Sequence, residues 1–215
     1  MNREQHTARL ISVTPNAEEG IVYMARVSNP ANQNSLETAP RLIRYLIKHK
    51  HWSPFEMASM QVEINTTRAI AAQVLRHRSF SFQEFSQRYS NVGDLPEIGL
   101  PHLRSQDHKN KQASHDDMDP AVVERLNREI ERLYRNAQDL YDLCIERGVA
   151  KECARSILPL GTPTRMYMSG SIRSWIHYIQ IRAGEETQLE DRLIAQAIKD
   201  IFKEQLPSVY EAAFT

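Results

Sequence analysis

The chain has 215 residues, and its 27 Lys and Arg are balanced by 27 Asp and Glu. A formal net charge of zero excludes the global field that draws a protein onto nucleic acid or an anionic membrane, so any anion site must be local. Cys144 and Cys153 have neither disulfide-framework nor zinc spacing, which points to a reducing compartment. The start Met-Asn-Arg-Glu-Gln-His carries no apolar signal core, and no apolar run approaches membrane-spanning length. These features predict a soluble cytoplasmic protein with a single domain over residues 1–215.

In chain order, Arg9 to Thr14 alternates weakly before Pro15 and predicts a first strand. Glu18 to Val27 predicts a short helix closed by Ser28-Asn29-Pro30, and residues 29–37 a polar loop. Pro40 near a helix start, with Leu42, Ile43, Leu46 and Ile47 on one stripe, predicts a helix through Lys48. The basic tip Lys48-His49-Lys50-His51 suits a helix C-terminus on dipole grounds alone. The turn His51-Trp52-Ser53-Pro54-Phe55-Glu56 follows. Met60, Val62 and Ile64 then alternate with Gln61, Glu63 and Asn65 in a half-buried strand, with Thr66 or Thr67 as the N-cap of a helix from Ala69 to Leu75.

Beyond Ser90 the chain becomes irregular, and the charged, aliphatic-poor run Arg104 to Asp119 predicts a mobile surface loop. Asp119-Pro120 is an N-cap with proline at the first helical position. Val123, Leu126, Ile130, Leu133, Ala137, Leu140, Tyr141 and Cys144 recur at three and four up to Gly148, predicting a long helix whose narrow stripe suits a core or a subunit contact. A short helix from Val149 to Ile157, a strand from Thr164 to Ser169, a helix from Ser171 to Arg182 and a helix from Leu189 to Leu206, stopped by Pro207, complete the chain.

One stretch is chemically unlike the rest. Residues 76–90, Arg-His-Arg-Ser-Phe-Ser-Phe-Gln-Glu-Phe-Ser-Gln-Arg-Tyr-Ser, contain no aliphatic residue and combine guanidinium forks, hydroxyls and aromatic faces. The residues of Arg76-His77-Arg78 cannot all face one way on a regular helix, so they imply two functions or a bend. Arg155 beside a proline stop, Arg173 to Arg182, and the His51 turn share this chemistry, which suggests convergence on a polyanionic ligand. Ser86 lacks a nucleophile elbow and reads better as a phosphate donor. His49, His51 and His77 form no convincing metal set, since no nearby carboxylate or cysteine completes one. The rival is a non-catalytic nucleotide or single-strand nucleic-acid binder, which the zero net charge disfavours.

Arg76-His77-Arg78, seven residues and then Ser86, continued by Gln87-Arg88-Tyr89-Ser90, resembles the signature of the flavin-dependent thymidylate synthases. The resemblance extends through Ala25-Arg26-Val27-Ser28, His51-x-Ser53-Pro54-Phe55-Glu56, Ala154-Arg155-x-x-Leu158-Pro159 and residues 189–207. It implies an α+β (mixed α/β) fold with a central, mainly antiparallel sheet, flanking helices and a long helical segment. It also implies a homotetramer with active sites shared between subunits. The implied reaction makes dTMP from dUMP, with methylenetetrahydrofolate as carbon donor, FAD as hydride carrier and NADPH as reductant.

Position by position, the resemblance implies dUMP contacts at Gln73, Arg76, Glu84, Ser86, Gln87, Arg88, Arg155 and Arg182. Arg182 is the implied catalytic group, polarising the uracil ring. For FAD the implied set is Ser28, Ser53, Arg76, His77, Arg78, Glu84, Ser171, Arg173 and His177, with His51 beside flavin or folate. No metal is implied. Gly184 stands where the family often has aspartate, and Ser171 and His177 where many members have asparagine.

Overall fold

The computed structural model of the protein describes residues 5–97 and 99–215. In chain order its elements are β1 (Thr7–Val13), α1 (Ala17–Ala25), α2 (Ala39–Lys48), β2 (Ser59–Thr67), α3 (Arg68–Val74), β3 (Ser81–Glu84), β4 (Ser105–Gln106), β5 (Ser114–His115), α4 (Pro120–Glu146), α5 (Lys151–Ala154), β6 (Pro163–Ser171), α6 (Ile172–Arg182), α7 (Leu189–Gln205) and α8 (Pro207–Phe214). The main sheet has the strand order β1-β2-β6-β3. The chain divides into two compact units. One comprises Thr7–Ile64, Leu75–Gln83 and Tyr167–Thr215, and we call it the sheet unit; the other, the helix unit, comprises residues 5–6, Asn65–Val74 and Glu84–Met166.

In the sheet unit, side-chain pairs fix the strand directions. Arg9 meets Glu63, Ser12 meets Gln61 and Thr14 meets Ser59, so rising numbers on β1 match falling numbers on β2. Glu63 with Tyr167 and Gln61 with Ser169 repeat that pattern between β2 and β6. Both pairings are therefore antiparallel. The period-two alternation buries Met60, Val62 and Ile64 completely. They share the core with Met168, Trp175, Ile176, Ile179, Ile194, Ile198 and Phe202. The Trp175 indole N–H donates to the Met60 carbonyl at 2.9 Å, so the largest buried ring leaves no orphan donor.

The opposite face of β2 is not simply solvated, as alternation predicts. Glu63 is 5% exposed and accepts from Arg9 Nη2 at 3.1 Å and from Tyr167 Oη at 3.0 Å. Strand β3 lies within the stretch 76–90, where no strand was expected. Phe80, just before it, fills the space beside Gly170, where a Cβ would stand 2.4 Å from Phe80 Cδ1. Helix α8 was also unforeseen: Pro207 stops α7 and occupies the first position of the next helix. Glu18 accepts from the Val209 amide at 2.8 Å, satisfying a donor in α8's first turn.

In the helix unit, α3 starts without the side-chain cap that Thr66 or Thr67 was expected to provide. Both threonines belong to β2, and the Arg68 and Ala69 amides donate instead to the carbonyls of Thr162 and Leu160 at 2.9 and 3.0 Å. Thr66 Oγ1 bonds His6 Nδ1 at 2.9 Å. The run 104–119 is not wholly irregular: β4 and β5 pair antiparallel, Ser105 with His115 and Gln106 with Ser114. Asp107 closes that ribbon, accepting from the amides of Asn110 and Lys109 and from His115, and these bonds hold its carboxyl down at about 2.

Helix α4 begins as predicted, with Asp119 accepting from the Ala121 amide at 2.8 Å, and ends before Gly148 at φ 80°. Of its side chains only Tyr141 is fully buried, its hydroxyl donating to Asn91 Oδ1 at 3.1 Å. Leu126, Leu133 and Leu140, each seven residues from the next, stay exposed. The expected helix from Val149 to Ile157 is broken into α5 and a 3-10 turn, Arg155–Ile157. No helix among the described residues is long and apolar enough to cross a membrane.

Candidate active site

In the sheet unit the site chemistry gathers where β6 runs directly into α6. Ser171 is the N-cap of α6, accepting from the Ser174 amide at 3.3 Å. Its hydroxyl donates to Glu56 Oε2 at 2.6 Å, and Arg173 Nη1 donates to Glu56 Oε1 at 2.7 Å. These bonds, the Ser171 one first, hold the Glu56 carboxyl below its usual range. Glu56 ends the 3-10 turn Ser53–Glu56, within the stretch that sequence marked as a reactive turn, yet it was given no role. Trp52, Glu56, Ser79, Arg173, Ser174, Ile176, His177 and Gln180 line a cavity of about 320 Å³.

On the same helix, Arg182 Nε donates to His77 Nε2 at 2.9 Å. Acceptance at Nε2 places the ring proton on Nδ1. Burial first, then the Arg182 and His177 charges, pushes His77 down to about 4, so the ring is neutral near pH 7. Its ring stands edge-on to Tyr178 with centroids 4.8 Å apart. The ends of the Arg182 side chain are free: its Nη groups have no partner among the described residues. Helix α3 stops at Val74, so Arg76-His77-Arg78 lies on a bend; His77 turns inward, while Arg76 and Arg78 are exposed and unpaired among the described residues.

In the helix unit, Ser86, Arg88, Tyr89, Ala150, Lys151 and Glu152 line an open cavity of about 360 Å³. Arg88 pairs with Glu152 at 2.9 Å, and Lys151 Nζ donates to the Tyr89 carbonyl at 2.7 Å. Glu84 is held by Arg68 and by Thr164 Oγ1, the latter at 2.9 Å. Gln87 is 7% exposed, and its Nε2 has no hydrogen-bond partner among the described residues. A buried donor in that state is costly unless a ligand satisfies it. Arg155, at the start of its 3-10 turn, has no partner among the described residues.

The structure thus sorts the expected residues by unit. Of the dUMP set, Gln73, Glu84, Ser86, Gln87, Arg88 and Arg155 belong to the helix unit, and Arg76 and Arg182 to the sheet unit. Of the FAD set, Ser28, Ser53, Arg76, His77, Arg78, Ser171, Arg173 and His177 belong to the sheet unit, as does His51, and Glu84 alone does not. Arg173 and His177 share one cavity, whereas Ser53 lines another of about 360 Å³ with Tyr23, Met24, Val27, Gln33, Pro54 and Met57. The His51 ring packs against Tyr45 and His49, at 5.9 and 6.2 Å between centroids. No group of three or more His, Cys, Asp or Glu among the described residues could hold a metal ion.

Comparison with known proteins agrees with this chemistry. Residues 9–208 match the model of the family described as thymidylate synthase complementing protein. A probable flavin-dependent thymidylate synthase of Paramecium bursaria Chlorella virus 1 is 52% identical over 214 residues, covering 96% of this chain and 98% of that one. The flavin-dependent thymidylate synthase of Synechocystis is 48% identical over 204 residues, covering 94% of this chain and 93% of its own. Among solved structures, PolB from Streptomyces cacaoi, a UMP/dUMP methylase bound with 5-Br dUMP, superposes with a TM-score of 0.85 at 25% identity over 98% of this chain and 95% of its own. The antiparallel mixed α/β fold, the arginine-rich bend and these relatives agree, and the chain is an enzyme of the flavin-dependent thymidylate synthase family.

Proposed function

We propose that this enzyme makes dTMP from dUMP, with methylenetetrahydrofolate as carbon donor and FAD, reduced by NADPH, as hydride carrier. The observation that carries the reading is Arg182, held by Nε on a neutral His77 while its Nη groups remain unpaired among the described residues. Those N–H groups are free to stabilise negative charge developing on a uracil oxygen, which makes the ring carbon more nucleophilic without an enzyme thiolate adding to it. Neither Cys144 nor Cys153 lines the cavities described above.

The residues fit the ligands. Ser86, Arg88 and Lys151 offer a hydroxyl and two cations to a phosphate at one cavity, and the unsatisfied Gln87 amide suits a nucleotide acceptor. Arg173, whose Nη1 is tied to Glu56, keeps other N–H groups for an anionic cofactor, with the Trp52 ring and His177 lining the same cavity. Bound FAD supplies the hydride chemistry, and the protein supplies orientation and electrostatics. The reading includes a cytoplasmic homotetramer with active sites shared between subunits, and the exposed Leu126, Leu133 and Leu140 on α4 support a subunit contact.

Purified protein is expected to show a flavin absorption spectrum and to yield dTMP only when dUMP, methylenetetrahydrofolate and NADPH are all supplied. Arg182→Ala is expected to keep fold and flavin and lose most turnover. Colourless protein that stays inactive with added FAD sinks the reading, and tight, salt-sensitive oligonucleotide binding by such protein favours the nucleic-acid binder instead.

A further inference from the structure

Asp191, in the first turn of α7, is 0% exposed, the most deeply buried acid of the sheet unit, and the proposed reaction gives it no role. Its Oδ1 accepts from the Tyr178 hydroxyl at 3.3 Å, and its Oδ2, which has no hydrogen-bond partner among the described residues, lies 3.5 Å from Arg182 Nε. Tyr178 is itself fully buried and stands edge-on to His77, and His77 accepts from the same Arg182 Nε. The four side chains therefore close a ring: His77 to Arg182, Arg182 to Asp191, Asp191 to Tyr178, and Tyr178 back to His77.

We propose that Asp191 is a positioning residue: its buried carboxylate, held by Tyr178, fixes the Nε side of Arg182, so that the guanidinium presents its Nη groups in one orientation and keeps its bond to His77. This inference rests on the role of Arg182 in the proposed reaction. An arginine side chain carries large rotamer entropy, and an untethered one would have to be ordered anew when substrate binds. A carboxylate serves better than a neutral amide, because in a desolvated site its charge opposes that of the guanidinium at every approach angle, whereas an amide must align. A mere structural acid would be expected where water could solvate it or several donors satisfy it. Among the described residues the Asp191 side chain has one hydrogen-bond donor and one cation, and that cation is Arg182.

Burial raises the Asp191 carboxyl, and the Arg182 charge and the Tyr178 bond work against that rise. Burial likewise keeps the Tyr178 hydroxyl protonated well above its usual range, so it remains the donor. His77, neutral for the same reason, remains an acceptor at Nε2. Tyr178 as donor and His77 as acceptor thus hold the protonation states that their hydrogen bonds require, and Arg182 is the charge that favours the ionised form of Asp191 against its burial.

The test uses Asp191→Asn, Arg182→Lys and the pair together in the full-length, flavin-loaded enzyme. If the proposal holds, Asp191→Asn keeps its melting temperature within a few degrees and its flavin content, and lowers kcat by about tenfold with KM for dUMP changed less than about threefold. In the Arg182→Lys background the same change should then add nothing, because both act through one group. Nitrogen-15 shifts of His77, read without substrate, should show the Nδ1–H tautomer in the wild type and a mixture in Asp191→Asn. Unchanged or raised kcat in Asp191→Asn, or losses that multiply in the double variant, overturns the proposal. Should Asp191→Asn not fold, Tyr178→Phe, which removes only the donor to Asp191, must show the same kcat loss and tautomer change in smaller measure, and its silence overturns the proposal equally. Near-normal turnover in Arg182→Lys and Arg182→Ala would instead remove the role of Arg182 on which the proposal rests, whatever Asp191→Asn does.

Discussion

Glu56 accepts a 2.6 Å hydrogen bond from Ser171 Oγ, which ties the 3-10 turn Ser53–Glu56 to the N-cap of α6. The same carboxylate holds Arg173, so one acid sets the entry of α6 and the aim of the guanidinium proposed to meet the cofactor. Glu56→Gln keeps the size and one acceptor but loses the charge. Flavin affinity is expected to fall several-fold, read by titrating apoprotein with FAD, while the sheet core stays folded by circular dichroism. Because the Glu56 carboxyl lies below its usual value in the folded protein, its contribution to stability is present above the unfolded value of about 4.5 and is lost as pH falls through the folded one. The variant should therefore lose less stability on acidification than the wild type.

His77 gives the second pH effect. Its folded value of about 4 lies below the ordinary 6.5, so between these values the unfolded chain binds a proton that the folded one refuses. Stability contributed by neutral His77 is complete above pH 6.5 and decays as pH falls toward 4. In His77→Gln, whose side-chain oxygen can still accept from Arg182 Nε, that slope should vanish from a melting-temperature profile between pH 4 and 6.5. Retention of the full slope in the variant would assign it to other groups.

How much of this was legible in sequence depends on whether a residue's role leaves a period or a motif. Helix α4 did so through Asp119-Pro120, a three-and-four stripe and Gly148. Strand β2 followed from the alternation of Met60, Val62 and Ile64, whereas the antiparallel sheet was implied only by the family resemblance. Strand β3 left no signal, because its polar residues Ser81, Gln83 and Glu84 alternate with a single Phe82 and resemble a binding loop. Helix α8 was hidden because proline ends one helix and begins another by the same fixed φ. In the site, the spacing of Arg76-His77-Arg78 left two functions or a bend open, whereas Glu56 and Asp191 act through partners 115 and 9 positions away, respectively, a kind of contact no local pattern encodes.

Gln87 separates binding from folding in a measurable way. Its Nε2 is buried without a partner among the described residues, a state that costs about 1–3 kcal/mol in the free protein. Gln87→Met keeps the length of the side chain and removes the orphan donor. The variant is expected to be as stable as the wild type or more so by chemical denaturation, and to bind dUMP at least several-fold more weakly by calorimetry. A destabilised variant with unchanged dUMP affinity would show that the amide serves the fold.

The last expectation concerns α4. Leu126, Leu133 and Leu140 recur at seven-residue intervals and are exposed, Leu133 by 59%. A side chain so exposed contributes little to the helix unit's own core, and its replacement by a charge in an isolated subunit should shift stability by no more than about 0.5 kcal/mol. In a homotetramer whose contacts use this stripe, Leu133→Glu would place a desolvated charge against apolar neighbours, a cost of several kcal/mol when repeated across a symmetric contact. Light scattering after size exclusion should then report a smaller species than the wild type, with the far-ultraviolet dichroism unchanged. If the active sites are shared between subunits, as proposed, turnover should fall with the assembly and recover as protein concentration is raised. An unchanged mass for Leu133→Glu would place the subunit contact on another face of the molecule.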